Sequence, residues 1–215
     1  MKKSLIGFAL LLLTACGTIH NLQYTPRDRV HQVIDSHQST VYINVTDSRD
    51  DEDSIGRYND IATDGTYLGQ KTITSQTNVA ELLQDSLELE LRHSGYSLTN
   101  PTLAQMIVEV ELKKFFFDGF KSGNKNLGGE VLYIVKVTPN GESTPLFTKK
   151  VKCKGTWVKG WFSIETPIVE SLERGLDESI KQLMNDEKFL SALMNKKCQT
   201  VEFQEDSFFY GAPTE

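Results

Sequence analysis

"AQMIVEVELKKFFF", residues 104–117, decides how this chain folds. Val108, Val110 and Leu112 alternate with Glu109, Glu111 and Lys113. Successive side chains on a strand point to opposite faces, so this stretch is a strand with one buried side. The run Phe115-Phe116-Phe117 at its end cannot all face that side.

Working outward, "TVYINVT" (40–46) alternates in the same way, with Val41, Ile43 and Val45 on one face. A short strand is expected around Ile55–Ile61 or Lys71–Ile73. "GEVLYIVKVTPNGESTPLFTKKVKCKGTWV" (129–158) reads as a hairpin turning at Pro139-Asn140-Gly141. In its last strand Phe147, Val151, Cys153 and Trp157 share the apolar face. Lys150, Lys152 and Lys154 share the other. Two segments carry helical periods instead. In "TNVAELLQDSLELELRHSG" (77–95), Val79, Leu83, Leu87 and Leu91 recur every four residues, and Leu82 widens the stripe. Thr77 or Asn78 can cap its start and Gly95 suits its end. Thr166-Pro167 opens the second helix, with Ile168, Leu172, Leu176 and Ile180 as its core stripe. Asn185-Asp186 can restart a short helix through Phe189, Leu190 and Leu193. Runs of strands broken by amphipathic helices predict an α+β fold. The expected architecture is a mainly antiparallel sheet of about four to five strands, with two amphipathic helices packed on one face.

The N-terminus, "MKKSLIGFALLLLTACG", sets the expected location. Lys2 and Lys3 precede an apolar run, Leu5–Leu13, too short to span a bilayer but suited to a signal peptide. Leu13-Thr14-Ala15-Cys16 looks like a bacterial lipobox, which implies cleavage before Cys16 and acylation there. Two or more acyl chains anchor stably. Gly17 stands where lipoproteins kept at the inner membrane carry Asp. This implies the outer membrane, with the domain facing the periplasm. Four segments follow: a signal peptide over 1–15, the lipidated Cys16 with a polar tether over 16–39, one domain over 40–198, and an acidic, aromatic tail over 199–215. A flexible tether of that length would span roughly 25–30 Å.

Loss of residues 1–15 removes Lys2 and Lys3 and takes the formal net charge from −6 to −8. An acidic chain argues against nucleic acid as a partner. In an oxidising compartment Cys153 and Cys198 can form a disulfide; two buried thiols are the alternative.

The order of these features resembles the YajG-like family of bacterial lipoproteins over about residues 1–195. The resemblance rests on the lipobox, a V-x-D-x-R pattern at Val45, Asp47 and Arg49, and Ile55-Gly56. It continues through the spaced-leucine helix ending in Gly95-Tyr96, the strand "QMIVEVELKKF" and the closing helices. It implies a location and a fold. It implies no activity.

Candidate chemistry is sparse. Asp47, Asp50, Asp51, Glu52 and Asp53 crowd a short stretch, but neither register matches a calcium loop: one puts Ile55 and the other Arg49 at a ligand position. Adjacent acids in a turn are solvated, so catalysis there is not expected, and a solvated loop is the reading. His31, Asp35 and His37 match no zinc spacing. His93 can complement the end of the first helix. Cys153 has no nearby His. No nucleophile elbow or phosphate loop is present, so no enzyme activity and no cofactor are expected. The lysines at 149, 150, 152, 154 and 159 can pair with Glu109 and Glu111 across the sheet, or meet an anionic partner. Two aromatic groups, including Phe116 and Phe120, and Trp157 and Trp161, form a candidate partner surface. The functional expectation is binding or scaffolding of an envelope protein or cell-wall component by a lipid-anchored domain. An accessory activator of a peptidoglycan synthase is the alternative, and an envelope hydrolase a weaker one. An activator would need a longer reach than residues 17–40.

Overall fold

The computed structural model describes residues 18–26, 39–61, 66–119, 128–156 and 165–195. In chain order they form β1 (Thr18–His20), β2 (Thr40–Asp47), β3 (Ser54–Ile61), β4 (Tyr67–Ser75) and α1 (Val79–His93). β5 (Ser97–Leu98), β6 (Met106–Asp118), β7 (Gly128–Pro139), β8 (Phe147–Thr156), α2 (Glu165–Met184) and α3 (Glu187–Leu193) follow. The signal segment and the tail lie outside the described residues.

The longest strand, β6, organises the sheet. One of its edges pairs antiparallel with β7, which pairs antiparallel with β8. Its other edge is lined in series by two parallel strands. β2 runs beside Met106–Leu112, and β3 beside Phe117 and Asp118. β3 and β4 are antiparallel, while β1 lies parallel to β4 and β5 parallel to β2. The sheet is therefore mixed, which corrects the expectation of a mainly antiparallel one. It also has more strands than expected, and the described helices number three rather than two. Alternation in sequence reports which face is buried. It is silent on strand direction, because parallel and antiparallel ladders bury alternate residues alike.

The inward face carries Val41 and Ile43 of β2, Val108, Val110 and Leu112 of β6, and Val131, Tyr133, Val135 and Val137 of β7. Leu83, Leu87 and Leu91 of α1, and Leu172, Leu176 and Ile180 of α2, close the same core. Asn78 caps α1 by accepting from the N–H groups of Ala80 and Glu81. Gly95 follows with φ +91°, a conformation that costs glycine nothing. Asp186 caps α3 in the same manner.

Helix α2 comes unusually close to the sheet. A Cβ on Gly155 would lie 1.7 Å from the carbonyl oxygen of Ser171, and one on Gly129 would lie 2.8 Å from the Leu172 Cα. Gly175 faces both: a Cβ there would lie 3.1 Å from the Gly155 nitrogen and 3.3 Å from the Gly129 carbonyl oxygen. The Ser171 hydroxyl accepts from the N–H of Gly129 at 3.1 Å, and the Tyr133 hydroxyl donates to the carbonyl of Ser179 at 3.0 Å. Glycine inside a helix costs about 1 kcal/mol relative to alanine. Here it permits backbone-to-backbone contact.

Residues 18–26, expected as part of a tether, dock on the domain. β1 pairs Thr18–His20 with Ile73–Ser75, Leu22 is 2% exposed, and its N–H donates to the Thr77 hydroxyl. The Tyr24 hydroxyl donates at 2.7 Å to Glu90, a fully buried carboxylate on α1. One buried and one half-buried anchor in a polar stretch leave no period to read, so the docking is invisible in sequence.

Gly155→Ala should lower unfolding stability by about 3 kcal/mol, because the new methyl meets helix backbone rather than a movable side chain. Urea denaturation measures it; a loss under 1 kcal/mol would contradict the close approach.

A candidate binding cleft beside Arg49

β6 contains one irregularity. Leu112 pairs with Tyr133 and Lys114 with Leu132, so Lys113 has no opposite residue. This bulge shifts the strand's alternation by one. Leu112 faces the core, and the next core residues are Phe115 and Phe117, at 1% and 5% exposure. Phe116 turns outward, half-buried, with the Arg57 guanidinium 5.8 Å from its ring centre.

Opposite the bulge, the neighbouring strand also breaks. The chain leaves β6 after Ser48, whose N–H donates to the carbonyl of Leu112 at 2.9 Å. It rejoins the sheet at Ser54. Arg49 holds the excursion together. Its Nε and Nη2 grip the Asp47 carboxylate at 2.7–3.0 Å, and its guanidinium also donates to the carbonyls of Glu52 and Ser54. The side chains of Arg49 and Asp47 are 5% and 12% exposed. Asp47 accepts the N–H of Arg49, and Asp51 accepts that of Ser54. Asp50, Asp51, Glu52 and Asp53 are exposed. Thus Asp47 serves the turn and Arg49 pairs with an acid.

Between this loop and the bulge lies a cleft of about 270 Å³, lined by Arg49, Asp50, Asp51, Ser54 and residues 113–116. Its charges are largely engaged with one another. Lys113 pairs with Glu111. Lys114 and Lys152 both pair with Glu130, at 2.8 and 2.9 Å. Burial alone would raise the Glu130 carboxyl; hydrogen bonds from the two lysines outweigh it and hold it at about 2. The cleft's lining offers charges of both signs beside the ring of Phe116.

The lysines of β8 therefore do not reach Glu109 and Glu111, since β7 stands between them. Lys152 pairs with Glu130 of β7, and Lys149 with Asp186 at the start of α3, at 2.7 Å. Burial raises the Asp186 carboxyl, and the bond from Lys149 with the N–H of Phe189 lowers it further than burial lifts it. Lys150 and Lys154 are exposed. Cys153 is a half-buried free thiol with Sγ 3.4 Å from Gln182; burial, and then Glu178, push its pKa up. Cys198, its expected partner, lies outside the described residues. So do Cys16, Phe120, Trp157, Trp161, Lys159 and the His31, Asp35, His37 group. Of the aromatic partner surface only Phe116 is placed. His93 sits in the last turn of α1. Among the described residues no group of three His, Cys, Asp or Glu is arranged to hold a metal.

A family model described as an uncharacterized lipoprotein matches residues 26–194. No curated protein matches the chain in sequence. Among solved structures, protein XCC0632 from Xanthomonas campestris, assigned to family-model DUF330, superposes with a TM-score of 0.56 at 12% identity. That alignment covers 84% of this chain and 98% of that one. The hypothetical protein CT253 from Chlamydia trachomatis gives 0.43 at 8% identity, over 74% and 98%. A PelC dodecamer from Paraburkholderia phytofirmans gives 0.43 at 8%, over 79% and 98%. At these identities the first likeness speaks for the fold alone.

Arg49→Ala should cost about 3 kcal/mol by leaving the Asp47 carboxylate unpaired in a nearly buried position. Urea denaturation gives the value, and limited proteolysis should show faster cutting between 50 and 53; unchanged cutting would show that Arg49 does not hold the loop. Glu130 supplies a pH dependence. Its folded pKa is depressed from 4.5 to about 2, so its stabilisation is present above about 4.5 and is lost as pH falls through that window. Glu130→Gln should flatten the acid limb of stability between those values, read from denaturation midpoints at stepped pH.

Proposed function

This chain belongs to the uncharacterised lipoprotein family, and from that premise we propose that it is an outer-membrane lipoprotein. On this reading it is acylated at Cys16, and its α+β domain binds an envelope protein or cell-wall component in the periplasm without catalysing a reaction. The observation that carries the reading is the family match joined to the lipobox-like Leu13-Thr14-Ala15-Cys16. Among the described residues no helix is long and apolar enough to cross a membrane.

The cleft supports binding over catalysis. Arg49 is committed to Asp47 and two carbonyls, and Lys114 to Glu130. Glu130, at about 2, is ionised throughout the neutral range and is a poor proton carrier there. Paired charges beside an aromatic ring suit recognition of a polar partner. The synthase-activator reading loses ground, because residues 18–26 dock on the domain and shorten whatever free reach follows Cys16.

Cys16→Ser should abolish palmitate incorporation and move the chain out of the outer-membrane fraction. Retained labelling in that variant would overturn the anchor. In-cell crosslinking followed by capture of the full-length chain should return an envelope component that Phe116→Ala and Lys114→Glu both weaken; a partner insensitive to both would place binding elsewhere.

A further inference from the structure

β3 and β4 reach past the body of the sheet. β6 ends at Asp118, which pairs with Arg57. Beyond it, Tyr58–Ile61 and Tyr67–Lys71 pair only with each other among the described residues. The result is a two-stranded arm that runs roughly 10 Å beyond the last described pairing with β6, its base at Tyr58 still packed against the core. Its free end carries two of the four large apolar side chains that stand exposed among the described residues, Tyr67 at 61% and Leu68 at 62%. A bulge explains why both are there. Asp60 pairs with Gly69 and Ile61 with Tyr67, leaving Leu68 without an opposite residue.

The N-terminus enters on the same side. β1 is parallel to β4, with Thr18 beside Ile73, so β1 begins on the side of the arm's free end. Only Gly17 separates Thr18 from Cys16, and the two residue steps span at most about 7 Å of chain. Leu68 lies five residues along β4 from Ile73, roughly 17 Å. An acylated Cys16 and the arm's apolar tip would then meet one membrane surface. Tyrosine prefers that interface, where its ring is apolar and its hydroxyl is wet.

We propose that the β3–β4 arm rests its Tyr67 and Leu68 side chains on the lipid bilayer beside the anchor, fixing the domain's orientation to the membrane. The proposal rests on acylation at Cys16. To test it, a benzophenone amino acid replaces Leu68, Tyr67 or Leu103 in the full-length chain made in cells, and phospholipid adducts are measured after illumination. Leu103 is 68% exposed but precedes β6, at the opposite end of the sheet. Positions 67 and 68 should give severalfold more phospholipid adduct than 103. Equal adducts at all three, or adducts at 67 and 68 mainly to protein, whether a second copy or another chain, would overturn the docking. Mass spectrometry of the N-terminal peptide reads the anchor separately. An acylated Cys16 with equal adducts overturns the docking alone, whereas an unmodified Cys16 overturns the anchor and the docking with it.

Discussion

The structure depends on a parity constraint in β6. A strand with one buried face must return an apolar side chain to the core at every second residue, and both its edges need hydrogen-bond partners. From Met106 to Leu112 the sequence obeys. At Lys113-Lys114 it does not, and a single unpaired residue restores the phase for Phe115 and Phe117. One bulge thus keeps two large rings buried. Beside it β2 gives way to β3, with the Arg49 loop between them, and the candidate cleft is the space that this break leaves.

Much of this was readable before any coordinates. The helix caps at Asn78 and Asp186, the buried stripes of α1 and α2, and the alternating faces of β2, β6 and β8 follow from local periodicity and turn chemistry. Local rules hold because each of these residues acts within a turn or two of itself. The bulge also left a trace. Leu112 and Phe115, both core residues, stand three apart rather than two, and a strand tolerates that spacing only with an extra residue.

What the sequence hid is non-local. Strand direction in a mixed sheet is decided by which edges are vacant when the chain returns, and alternation does not record it. The lysines of β8 can be paired with Glu109 and Glu111 only while strand order is open; with β7 between them, Lys152 pairs with Glu130 and Lys149 with Asp186. Gly155 is a glycine within a strand and Gly175 one within a helix, and neither position reads as special by itself. Their meaning lies in their meeting. Tyr24 and Glu90 are 66 residues apart, and nothing near either one announces the other.

The parallel pairing of β1 with β4 has a mechanical consequence. A pull entering through the N-terminus runs along the axis of β1. It loads the bonds between Thr18–His20 and Ile73–Ser75 together, in shear, rather than opening them one after another. Behind them the Leu22 backbone is fastened to Thr77, and the Tyr24 hydroxyl to Glu90. Tension is therefore delivered first just ahead of α1, at Thr77, and then to its last turn, at Glu90. The clasp should yield as a unit, long before β6 and its neighbours feel the load.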